Sequence, residues 1–262
     1  MRLLFSILLL ALSLNLFADC SYGFSKVFPT DTLSQGGFFV LEGGYHITPL
    51  FKNDGVNHLY FVNETDTIKA IIQNQYKGGL NKQHQSFLKA EKALIGEKYK
   101  LMVITDSIQE FYRVFNKQTN ELDPVEWVIN HSMDNSTPIF EESPVILRQN
   151  CAWFGCGPAR DTYFECVISD QSYSFIEVQV RTLPHEVWDT FYVELIFNSS
   201  NMYSKNQVFS VGHNMCYGSF GYLNGTEFEA RFRLIDLYGN VSESFSPLVY
   251  FSTPTQENSK RN

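Results

Sequence analysis

The chain predicts an all-β protein built as two tandem β-sandwich modules, and three observations carry that expectation. Short alternating or apolar runs separated by turn residues recur along the whole length, enriched by 23 Phe, 14 Tyr and 3 Trp, which is the pattern of half-buried strands. Two segments, Leu94-Ile-Gly-Glu-Lys-Tyr99-Lys-Leu101-Met-Val103 and Leu223-Asn-Gly-Thr-Glu-Phe228-Glu-Ala230-Arg-Phe232, match at a leucine, a glycine, an aromatic and two alternating apolar positions. A leucine, a tight glycine turn and an aromatic opening an alternating strand is how a sandwich chain crosses from one sheet to the other. Between Met133 and Pro144 the alternation lapses into a polar stretch with two prolines, which places a linker there.

Residues 1 to 18 have one basic residue, Arg2, an apolar run from Leu3 to Leu14, and Ala18 at the small position before a cleavage site. That is a secretory signal peptide. The run is shorter than the roughly 20 apolar residues that a spanning helix needs, so the expectation is an exported protein that is not transmembrane, residing in the periplasm, on the outer cell surface or outside the cell. Without Arg2 the balance is 19 basic to 28 acidic residues, and an acidic surface argues against nucleic-acid binding.

The first module is expected over residues 19 to 138. Its strands are Gly37 to Leu41, His58 to Val62, Thr67 to Ile72, Tyr99 to Ile104, Phe111 to Phe115 and Glu126 to Ile129, punctuated by Gly43-Gly44, Asn53-Asp-Gly55 and Gly78-Gly79. Gln83 to Leu94 alone has spacing suited to a helical turn or two. The second module is expected over 139 to 255, with strands at Val145 to Leu147, Thr162 to Ile168, Ser174 to Val180, Thr190 to Phe197, Gln207 to Val211, Phe228 to Ile235 and Pro247 to Phe251. Seven strands over roughly 110 residues suit an immunoglobulin-like sandwich. The polar end, 256 to 262, is expected to be a disordered tail.

Five cysteines in an exported chain point to disulfides. Cys151, Cys156, Cys166 and Cys216 cluster in the second half and can pair in three ways, with Cys151 to Cys166 across a hairpin and Cys156 to Cys216 preferred. Cys20 is the odd one. Lipoprotein signals want a small residue before the lipidated cysteine, and Asp19 stands there, so cleavage after Ala18 is expected and lipidation of Cys20 is the alternative.

The segment Phe228-Glu-Ala-Arg-Phe-Arg-Leu-Ile-Asp236-Leu-Tyr-Gly239-Asn240-Val-Ser242 resembles the last hairpin of bacterial fibronectin-type-III and related Ig-like modules. Gly239 and Asn240 tolerate positive φ, and the Asp236 side chain can cap the turn. Phe228 stands where that family usually has Tyr and lacks a hydroxyl for a corner hydrogen bond, whereas Tyr99 has one. Val27-Phe-Pro29-Thr-Asp31 is similar to the entry of bacterial Ig-like domains. The resemblance implies a spacer, adhesive unit or enzyme appendage, and names no ligand.

His213, Met215 and Cys216 are close enough in sequence to suggest a soft metal, yet His213 and Met215 are only two ligands and Cys216 is better used in a disulfide, so no metal or other cofactor is expected. No nucleophile elbow or paired carboxylates stand out. Glu141-Glu142 falls in the linker, and Asp161 and Asp189 are single loop acids, so the expectation is a protein that is not an enzyme. The loop Cys151-Ala-Trp153-Phe154-Gly-Cys156-Gly-Pro158-Ala-Arg160 is the strongest binding candidate, because exposed aromatics flanked by Arg are favoured at hot spots. The expectation preferred for Trp153 is nevertheless a plug at the end of the core. The function expected is an envelope or extracellular interaction, adhesion or structural protein with a protein or glycan partner. The alternatives are a carbohydrate- or metal-binding accessory protein and a hydrolase without recognisable motifs.

Overall fold

The computed structural model describes residues 26–43, 58–76, 78, 84–104, 109–116, 121–154, 157–169, 174–184, 187–195, 206–213 and 218–256. The leader, Cys20, Cys156, Met215, Cys216 and most of the tail lie outside them, as do the turn residues Gly44, Asn53 to Gly55 and Gly79. Among the described residues no helix is long and apolar enough to cross a membrane.

The structure is all-β. The first half contains β1 (Lys26–Phe28), β2 (Thr32–Ser34), β3 (Phe39–Gly43), β4 (His58–Val62), β5 (Thr67–Tyr76), β6 (His84–Ala90), β7 (Lys98–Ile104), β8 (Gln109–Phe111), β9 (Arg113–Asn116), β10 (Glu121–Pro124) and β11 (Glu126–Asn130). β5 is the corner of this half. Its first residues pair with β4 and the rest with β6, so one strand belongs to both layers. The layers run β1-β3-β6-β5 and β5-β4-β7-β11-β2, with β2 and β11 parallel. Side chains alternate along each strand; Phe39 and Leu41 from one layer therefore meet Phe61, Leu101 and Trp127 from the other in a single buried cluster. Trp127 is fully buried and donates its indole N–H to the Pro29 carbonyl at 2.8 Å.

The second half contains β12 (Phe140–Phe154), β13 (Gly157–Ile168), β14 (Ser174–Thr182), β15 (Asp189–Glu194), β16 (Gln207–His213), β17 (Glu227–Asp236) and β18 (Val249–Ser252). They form a three-stranded sheet, β12-β13-β16, and a four-stranded sheet, β15-β14-β17-β18, all antiparallel. Phe164 of the first sheet packs on Phe232 of the second at 4.9 Å between ring centroids and on Phe251 at 5.7 Å. Seven antiparallel strands in two facing sheets is an Ig-like sandwich.

Three expectations change here. Within Gln83 to Leu94, where a helical turn or two was expected, His84–Ala90 is the strand β6. The second half of the polar linker is also strand, since β12 starts at Phe140 and carries Glu141, Glu142 and Pro144. The matched leucines differ: Leu94 is fully buried, whereas Leu223 is exposed and the neighbouring Tyr222 takes the buried place. The aromatic match holds, with Tyr99 and Phe228 both buried on central strands, and Tyr99 Oη accepts the Gly96 N–H at 3.3 Å.

The two halves meet through a third apolar cluster, Phe28, Val40 and Phe87 with Phe175, Tyr192 and Ile235. Beside it Gln85, itself buried, accepts the Tyr192 N–H at 2.8 Å and donates to the Tyr192 carbonyl at 2.8 Å and to Glu42. β15 is an edge strand, so Gln85 supplies the partners that an additional strand would give its Tyr192 peptide groups. The turn after β17 makes the second attachment. Asp236 Oδ1 accepts the N–H groups of Tyr238 and Asn240, each at 2.8 Å, and Asn240 Nδ2 donates to Asp236 Oδ2 at 2.8 Å and to the Asp134 carbonyl at 2.9 Å. Gly239 has φ +85°, and a Cβ there would lie 2.4 Å from the Phe38 ring, so the position excludes any side chain twice over.

Replacing Gln85 with Leu keeps the volume and deletes both bonds to Tyr192. Two buried backbone groups left unpaired cost about 1 to 3 kcal/mol each, so urea melts of Gln85→Leu are expected to show a loss of about 2 to 4 kcal/mol; a loss under about 0.5 kcal/mol would show that water or a relaxed β15 replaces the clamp.

Candidate interaction surface

The end of the second sandwich farthest along the β12–β13 hairpin brings together most of the residues singled out in the sequence. The hairpin register pairs Phe154 with Gly157, Trp153 with Pro158 and Cys151 with Arg160. β13 continues the rows to β16, pairing Arg160 with His213 and Asp161 with Gly212. Directly paired residues point to the same face, so Cys151, Arg160 and His213 form one row across the sheet, and all three are buried. Gly212 permits this approach, because a Cβ there would lie 2.1 Å from the Arg160 carbonyl oxygen.

Beyond that row the strands outrun the core. Trp153 is 60% exposed and Phe154 50% exposed, which corrects the expectation that Trp153 plugs the sandwich. Consecutive residues project from opposite faces of the ribbon, so the two rings, each at least half exposed, present apolar surface on both sides. Arg160, expected to flank them at a recognition surface, lies instead in the buried row at 9% exposure, and its Nε has no hydrogen-bond partner among the described residues.

The cysteine expectation changes too. Cys166 pairs in register with Gln207, six residues along β13 from the partner of Cys151. At about 3.3 Å per residue that is about 20 Å, far outside the 4.4 to 6.8 Å that a disulfide needs between Cα atoms. Cys166 is a buried free thiol, and burial pushes it up to about 12. The proposed Cys156 to Cys216 pair lies outside the described residues, as does Met215. Among the described residues no group of three His, Cys, Asp or Glu side chains could hold a metal. The four acids considered for catalysis sit on strands: Glu141 and Glu142 on exposed β12, Asp161 on β13 and Asp189 at the start of β15.

Asp161 is the electrostatically unusual group at this end, since burial raises its carboxyl to about 6. Nearby, Tyr222 Oη lies 2.8 Å from Thr162 Oγ1 and donates to the Val211 carbonyl at 2.9 Å.

A second surface was not singled out in the sequence. On the outer face of the four-stranded sheet Arg181 and Arg231 lie over the Trp188 ring at 4.5 and 4.6 Å, and Arg231 and Arg233 lie over Phe245 at 4.5 and 4.6 Å. Glu229 pairs with Arg181, Glu177 with Arg233 at 2.6 Å, and Gln179 accepts from Arg231 at 2.8 Å. The legible signal was Arg231-Phe232-Arg233, two cations flanking one buried aromatic at the strand period. The ring partners Trp188 and Phe245 come from outside the strands that carry the arginines. Arg231 lies between two rings, and each of the three cations has a side-chain acceptor, so this ladder braces the sheet.

Two outcomes follow. Trp153→Ala is expected to change stability by no more than about 0.5 kcal/mol in denaturant melts, against about 3 to 5 kcal/mol for a buried Trp. Asp161 is stabilised in its neutral form, so its contribution is fully present below about pH 4 and lost as the pH rises through about 6. Asp161→Asn should therefore be more stable than the parent by about 1 to 2 kcal/mol at pH 8 and equal to it near pH 4; a gain independent of pH in urea melts would contradict the assignment.

No family model matches the chain, and no curated protein matches it. Solved structures that resemble it include a cytokine receptor complex, at 11% identity and a TM-score of 0.27 over 88% of this chain and 98% of that one. Two marsupial T cell receptor structures are matched at 8% and 9% identity, with TM-scores of 0.22 and 0.21, over 88% and 89% of this chain and 72% and 98% of theirs. Likenesses at these TM-scores leave the function to be argued from the chain itself.

Proposed function

We propose that this is an exported, non-enzymatic interaction protein made of two β-sandwich modules, 19 to 138 and 139 to 255, which acts in the cell envelope or extracellular space through the end of its second module. The observation that carries the reading is the exposure of Trp153 and Phe154 on a strand-built hairpin. Large apolar rings held out on a regular ribbon lose little conformational entropy on binding, which is how aromatic anchors come to dominate interfaces. The leader of residues 1 to 18 and the acidic balance support export and argue against nucleic acid.

The same exposed indole suits a sugar ring, and this keeps a carbohydrate-binding reading beside the protein-binding one. The two separate on one experiment. Immobilised wild type and the Trp153→Ala and Phe154→Ala variants are passed over a glycan array and over fractionated extracellular proteins. Binding to either class that falls at least about tenfold in both variants supports the reading and names the ligand class. Binding that survives both substitutions places the interaction elsewhere. N-terminal sequencing of the exported chain checks the leader, with Asp19 the expected first residue.

A further inference from the structure

β12 carries a second exposed apolar stretch, well away from Trp153 and Phe154. Val145, Ile146 and Leu147 are 53%, 38% and 38% exposed in succession, whereas a regular strand would bury alternate residues. The cause is local: the β12–β13 register shifts between Glu142 and Val145 and again between Ile146 and Arg148, so this stretch never settles one face onto the core. Within its sheet β12 has β13 on one side only. The flanks are charged and exposed, with Glu141 and Glu142 before the apolar stretch and Arg148 after it, and the Arg148 guanidinium is held at 4.4 Å over the Tyr163 ring.

We propose that this segment, Glu141 to Gln149, pairs antiparallel with the same segment of a second copy of this chain about a two-fold axis through Val145. Glu142 and Arg148 lie three residues on either side of Val145, so the axis sets each Glu142 opposite the Arg148 of the other copy. Opposed residues of an antiparallel pair have Cβ atoms about 4.5 to 5.5 Å apart, within reach of a carboxylate and a guanidinium. The segment is thus self-complementary in charge, and it sets the two Val145 side chains against each other at the axis, with Ile146 of each copy opposite Pro144 of the other. Heterologous edge pairing would continue into a filament; a two-fold pair closes at two. Pro144 lies one residue from the axis and has no N–H to offer, so the ladder lacks one donor there, and the register shifts confine the pairing to this short segment. The outer edge of the four-stranded sheet at β15 is engaged by Gln85, whereas β12 is an edge strand that also carries three successive exposed apolar residues.

Sedimentation velocity of the purified protein over about 1 to 100 µM is expected to show a concentration-dependent dimer. Glu142→Arg and Arg148→Glu should each raise the dimer dissociation constant at least about tenfold, and the double swap should restore it to within about threefold of wild type. Val145→Asp sets two carboxylates against each other on the axis and should abolish the dimer without touching the Arg148 stack. Trp153→Ala should leave it intact, which separates this surface from the hairpin end. Amide exchange across residues 141 to 148 should slow as concentration rises. A monomer across the whole range, a dimer indifferent to both single swaps, a double swap as weak as the singles, or exchange that ignores concentration would each overturn the proposal.

Discussion

One side chain, Gln85, holds the arrangement of the two halves. A sandwich module leaves edge strands, and an edge strand leaves peptide groups that must find partners or stay in water. At β15 the partner is the primary amide of Gln85, which meets both the N–H and the carbonyl of Tyr192. Such a pairing tolerates little rotation, so β6 of the first module is fixed against β15 of the second. The aromatic cluster beside it, with Phe87 stacked on Tyr192 at 4.8 Å and set edge-on to Phe175 at 6.2 Å, adds apolar burial to a geometry the amide has already chosen. Glu42, buried beside Gln85, has its carboxyl raised above the usual carboxylate range by burial, against the opposing hydrogen bond from Gln85.

The clamp decides which surfaces remain open. It occupies one edge of the four-stranded sheet, and the cation and ring ladder covers that sheet's outer face. The turn after β17 is tied to the first module and the connection, with Ser34 Oγ donating to the Leu237 carbonyl and Asn240 to Asp134. β12 and its hairpin end carry Val145, Ile146, Leu147, Trp153 and Phe154 exposed along one strand. That distribution is why the second module carries both proposed contacts, one through rings beyond the core and one through a strand whose register is broken.

Strand positions were legible because side chains alternate wherever one face is buried. His58 to Val62 is recovered to the residue, and the runs at Thr67, Tyr99, Glu126, Ser174 and Phe228 fall within their strands. The Asp236 cap was legible as well, since it is a local device whose partners lie two to four residues away. What failed was tertiary. The spacing of Phe87, Leu88, Ala90, Ala93 and Leu94 suits a helical turn, yet β6 is a strand whose Gln85 and Ser86 are buried, and a sequence cannot show that an amide is buried against the backbone of a distant strand. Trp127 and Trp153 look alike in sequence, but only Trp127 lies within a buried cluster. The Cys151 to Cys166 pairing failed on register alone, because the β12–β13 register sets Cys151 beside Arg160 and leaves Cys166 far along the strand.

The junction is expected to make the two sandwiches one cooperative unit. Trp127 is buried in the first module and Trp188 lies on the second, so each can report its own half once the other two indoles are replaced by Phe. Urea unfolding followed by fluorescence in these two single-tryptophan proteins should give midpoints that coincide once referred to circular dichroism of the same samples. Two midpoints that separate within either protein, with one module unfolded while the other remains native, would contradict the account.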